Sequence, residues 1–161
     1  EGDTRVVTLD PVTIEFDGLI VQVQSIFRLT EGSGEVEIIR RILDSSDPEV
    51  ELSIDEYITA CYGTTEYPED LTGVRLCLTG VDKTESIEYA YQCRESELED
   101  VHYVEATIPQ MDTHLSMHTD TSAVGYFREG FSFSPMYTLG IKKTFTGKGE
   151  LRTWLKVAKA S

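Results

Sequence analysis

The chain has 161 residues, with 29 acids against 14 lysines and arginines and a net charge of −15. That surplus argues against nucleic acid or an anionic membrane as a partner, and no apolar run approaches the roughly 18 residues of a membrane-spanning helix. One β-domain is expected at this length, and a start at Glu1 rather than Met points to a module excised from a larger polypeptide.

In chain order, Thr4–Leu9 reads as a short strand closed by Asp10-Pro11. Asp17-Gly18 then separates Val12–Phe16 from Leu19–Gln24, a two-residue turn between alternating runs and a strong hairpin signal. Folding about it sets Phe16 opposite Leu19, Ile14 opposite Val21 and Val12 opposite Val23, so one face is apolar in both strands. A second turn at Thr30–Glu35 returns the chain, with Thr30 expected to face Glu35, Leu29 to meet Val36 and Arg28 to meet Glu37 in a surface ion pair.

After the acidic loop Asp44–Glu49, Ser53-Ile54-Asp55-Glu56 has the form of a capping box. Ile54, Tyr57, Ile58 and Cys61 fall at helical spacing, which predicts one short helix over 54–62. Thr64–Gly73 reads as a loop with Tyr67-Pro68 at its tip. Strands follow at Val74–Thr79, Ile87–Cys93 and Val101–Ile108, with an acidic turn at Glu95–Asp100. Asp112–Ser122 is ambiguous, Ala123–Arg128 a strand, and Gly130–Pro135 an aromatic loop or edge. A last hairpin is expected between Tyr137–Phe145 and Leu151–Lys159, pairing Phe145 with Leu151 and setting Lys142 against Trp154 as a cation–π contact. The sum is about ten antiparallel strands and one helix: an all-β sandwich, jelly roll or barrel.

The chemistry is harder to locate. Cys61, Cys77 and Cys93 are odd in number and form no C-x-x-C, so three thiols are expected rather than a disulfide framework or a zinc knuckle. No G-x-S-x-G, P-loop, G-x-G-x-x-G or H-E-x-x-H occurs, and no cofactor is expected. His114 and His118, with His102 before them, are the candidate metal ligands. On a helix His114 and His118 would chelate; on a strand they share a face about 13 Å apart, turned to water while Leu115 and Met117 turn inward. Tyr67, Phe131, Phe133, Trp154 and Lys142 are candidate contact residues, and the six bases after Gly140 against the single Glu150 form a basic end on an acidic body.

From these features the sequence reads as a non-enzymatic surface module of attachment or capsid type. It would act by protein contact or self-association into an oligomer, at an extracellular or particle surface. A small β-barrel metalloenzyme using the three histidines, or a small-molecule carrier, stands as the alternative.

Overall fold

A computed structural model describes residues 3–61, 74–88, 95–131 and 135–161. Its first hairpin forms where the turn chemistry requires it. Asp17 and Gly18 both take positive φ, 48° and 77°, as a type I′ turn demands. The strands β1 (Arg5–Thr8) and β2 (Val12–Phe16) run end to end along one edge of β3 (Leu19–Thr30), antiparallel to it, and β4 (Ser33–Ser45) pairs antiparallel with the other edge. Val12, Ile14 and Phe16 lie opposite Val23, Val21 and Leu19, as expected. The second turn is tighter than expected. Thr30 faces Ser33 and Arg28 faces Glu35, because Gly32 at φ 78° lets the chain reverse within Glu31-Gly32. The register moves by two residues, so every side chain keeps its face.

The later strands are β5 (Glu51–Cys61), β6 (Arg75–Gly80), β7 (Thr84–Glu88), β8 (Glu95–Ile108), β9 (Thr113–Phe131), β10 (Pro135–Thr146) and β11 (Gly149–Lys159). All eleven belong to one open antiparallel sheet, whose main path runs β1-β3-β4-β11-β9-β8-β6-β7. The 19-residue β9 is its hub. Residues 113–119 pair with β11, residues 124–131 pair with β10, and β8 lines the opposite edge. Two arms therefore leave β9 on one side, β11-β4-β3 and β10-β5.

The sheet curls so that the arms and β6-β8 bury a common face. Leu76 and Leu78 of β6, Val104, Ala106 and Ile108 of β8, Met117 and Phe127 of β9, and Leu139 and Ile141 of β10 form the main core. A smaller cluster of Ile42, Ile54 and Leu151 joins the arms. Tyr126, on the opposite side of β9, lies across Gly140 of β10, where any Cβ would collide with its ring. Its hydroxyl donates to Asp55 of β5 at 2.6 Å.

Where the helix over 54–62 is expected, the described residues to Cys61 form a strand, β5, paired along its length with β10. Its inward set is Ile54, Glu56 and Ile58, and the buried Glu56 interrupts what would otherwise be a clear period of two. Glu56 is held on the core side by the guanidinium of Arg40. Glu95–Asp100, expected to turn, begins β8, and after Asp112, which ends the turn at Pro109–Met111 with φ 46°, Thr113–Ser122 joins Ala123–Arg128 in one unbroken strand. Tyr137–Phe145 and Leu151–Lys159 do not pair with each other. They diverge into the two arms, and Phe145 approaches Leu151 only through the small cluster between them. The expected loop at 64–73, and the expected strand at 87–93 beyond Glu88, with Cys93, lie outside the described residues. Cys77 is a free, half-buried thiol.

The apolar face of the first hairpin keeps its parity but is left open. Val12, Ile14 and Phe16 are 57%, 55% and 71% exposed, and beside Val12 and Ile14 lies a groove of about 410 Å³ walled by Val21, Val23, Ile42 and Ile54.

Candidate functional site

Along β8, burial of Val104, Ala106 and Ile108 leaves Tyr103, Glu105 and Thr107 on the other side of the sheet. Along β9, burial of Leu115 and Met117 leaves His114, Ser116 and His118 there too. The strand pairing then sets two rows across this polar face. Tyr103, His118, Trp154 and Glu37 stand side by side on β8, β9, β11 and β4, and Glu105, Ser116, Lys156 and Glu35 form the next row. β3 extends the rows with Ile26 and Arg28.

The first row contains a ring pair. His118 and the chain's single tryptophan, Trp154, stack with centroids 4.8 Å apart and planes within 6°. Beside them Glu37 is buried, with Arg28 Nη2 at 3.0 Å and Arg152 Nη1 at 3.3 Å. The Arg28–Glu37 pair exists, then, but its carboxylate is out of water and shared by two arginines, unlike the surface pair expected.

At the other end, two donors converge on one oxygen. Tyr103 Oη donates to Glu105 Oε2 at 2.9 Å, and His114 Nε2 donates to the same atom at 2.8 Å, since an ionised carboxylate can only accept. Glu105 Oε1 has no partner among the described residues, and the tautomer that fills Nε2 leaves His114 Nδ1 as the basic nitrogen of the neutral ring. Burial, then the bond to Glu105, pushes the Tyr103 hydroxyl up to about 12, while Ser116 opposes the shift. Tyr103 is accordingly a neutral donor at ordinary pH. The trio forms an acid–base group with one carboxylate oxygen and one imidazole nitrogen left for a ligand.

His114, His118 and Trp154 thus belong to one face. His102 is exposed where the β8–β9 register is irregular, and among the described residues no group of three or more His, Cys, Asp or Glu could hold a metal ion. Lys142 does not meet Trp154. It stands on β10 between Val124 and Asp55, because its strand pairs with β9 and β5. Phe131 ends β9, its side chain lying outside the description, as do Tyr67 and Phe133 entirely. Sequence reasoning missed Tyr103 and Glu105, and expected Glu37 at the surface rather than buried. A signal for the first two existed: reading the chain after Pro109–Asp112 as a strand returning along β8 puts Glu105 beside Ser116 and near His114.

No protein-family model matches the sequence, and neither does any curated protein. The fold does have solved counterparts. The chain is similar over 98% of its length to a candidate aldose 1-epimerase from Escherichia coli K12, with a TM-score of 0.55 and 11% identity, covering 66% of that chain. It is similar over 98% of its length to the Slr1438 protein of Synechocystis sp. PCC 6803, with a TM-score of 0.51 and 9% identity, covering 63% of that chain. The chain therefore spans just under two thirds of either protein, and identities so low carry the fold alone. That fold corrects the expectation of a capsid-type or attachment module. The architecture is one it shares with a sugar-epimerase-like protein.

Proposed function

We propose that the polar face of β8, β9, β11 and β4 binds a carbohydrate, and that Glu105 and His114 move protons at its anomeric carbon, as an aldose 1-epimerase would. The observation that carries this reading is the single carboxylate oxygen shared by Tyr103 and His114, beside the His118–Trp154 ring pair. The likeness in fold to a candidate aldose 1-epimerase supports it.

Exchange of the two anomers needs a proton taken from O1 and another given to the ring oxygen. The bond from C1 to the ring oxygen breaks, C1 becomes a carbonyl carbon, and rotation about C1–C2 presents its other side before the ring closes. Closure reverses both proton transfers. Glu105 Oε1 is the group placed to accept the first proton, and His114, when its Nδ1 carries a proton, the group to supply the second. Tyr103 holds Glu105 in place throughout.

Saturation-transfer NMR on α-D-glucose and α-D-galactose tests the reading. The protein accelerates anomer exchange, and Glu105→Gln or His114→Ala lowers the rate by about 10²–10⁴-fold. His102→Ala, away from the trio, leaves it unchanged. Wild-type protein no faster than Glu105→Gln at equal concentration overturns the assignment.

A further inference from the structure

We infer that this face takes an extended glycan rather than a lone sugar ring, an inference that rests on the carbohydrate reading above. Polar groups of similar accessibility run the width of the face instead of gathering in one pit. The side chains of His114, Glu105, Arg152 and Arg28 are 29%, 33%, 35% and 37% exposed. They stretch from β8 to β3, four strand spacings, or about 19 Å. That is several times the width of one pyranose.

The two ends have different chemistry, as a chain-like ligand with distinct subsites would require. Glu105 and His114 at one end are the groups that move protons. At the other, Arg28 on β3 is already oriented by the buried Glu37, which also holds Arg152 beside Trp154 on β11, so both offer fixed donors at little further entropic cost. Between the ends stands Trp154, an apolar ring for the C–H side of a sugar unit. Next to it Lys156 is exposed and makes no ion pair among the described residues.

Trp154 is the only tryptophan, so its fluorescence reports binding at the middle of this face directly. D-Glucose, D-galactose and D-mannose are titrated against the wild-type protein, followed by the β-1,4-linked hexamer of each. The expected result is a change in Trp154 emission and a hexamer that binds at least tenfold more tightly than its own monomer. Lys156→Ala weakens hexamer binding at least threefold, and Lys148→Ala, in the turn before β11, leaves it as it is. Equal Kd values for monomer and hexamer overturn the extended-ligand inference but leave a single-sugar site standing. No response to any of the six probes, by fluorescence or by ligand-observed NMR, overturns both.

Discussion

Glu105 Oε2 takes two donors, and that pairing sets how the site responds to alkali. The folded state favours the neutral Tyr103 phenol, whose ordinary value of 10.0 rises to about 12 through burial and then through Glu105. Stability from this group is complete below pH 10 and is lost as the pH climbs towards 12, because only the unfolded chain gives up the proton in that window. Tyr126 shifts in the same direction, through burial and its bond to Asp55. Urea midpoints measured from pH 9 to 11.5 should fall steeply for the wild type and less steeply for Tyr103→Phe. An identical slope would mean the phenol is not held neutral by the fold. At this scale, part of the site is legible in the sequence. The alternation of His114, Leu115, Ser116, Met117 and His118 says which side chains leave the core. It does not say that Glu105 faces Ser116 and reaches His114, since that depends on how two strands meet around Pro109–Met111.

Among the elements, β5 shows how one buried charge disguises a strand. Ile54 and Ile58 point inward with Glu56 between them, so the apolar residues left in the sequence fall four apart, which is helical spacing. The carboxylate is tolerated there because Arg40 crosses from β4 to meet it, a partner sixteen residues away that local pattern cannot reveal. Glu56→Ala should destabilise the protein by about 1–3 kcal/mol, by removing one side of the pair. Replacing both, as Arg40→Met with Glu56→Leu, should restore or exceed wild-type stability, because the pair's desolvation cost disappears with it. Urea denaturation of the two single variants and the double variant measures the coupling. A double variant as unstable as the worse single one would show that the position needs its charge. The first hairpin was read correctly because Asp17-Gly18 sets register within ten residues. The β10–β11 pairing was misread because each strand finds longer partners elsewhere.

Across the whole molecule, the all-β antiparallel architecture follows from alternation and turn spacing, whereas the branching at β9 does not. Alternation identifies which face of a strand is apolar, but not whether another layer covers it. Val12, Ile14 and Phe16 have the pattern of core residues and are more than half exposed. Ile14→Thr with Phe16→Ser should therefore lower binding of an apolar dye such as ANS while moving unfolding free energy by no more than about 0.5 kcal/mol. A loss several times larger would show these side chains to be buried in solution.

The order of pairing also bears on how the polypeptide matures. β4 finds β3 as soon as Glu31-Gly32 turns, yet its other neighbour is β11, at residues 149–159. At ribosomal speeds of 5–20 residues per second, the backbone amides and carbonyls along that side wait roughly 5–20 s for their partner. Throughout that interval a second nascent chain, or a chaperone, can lay a strand there first. Refolding yield should therefore fall with protein concentration, even where the finished fold is stable.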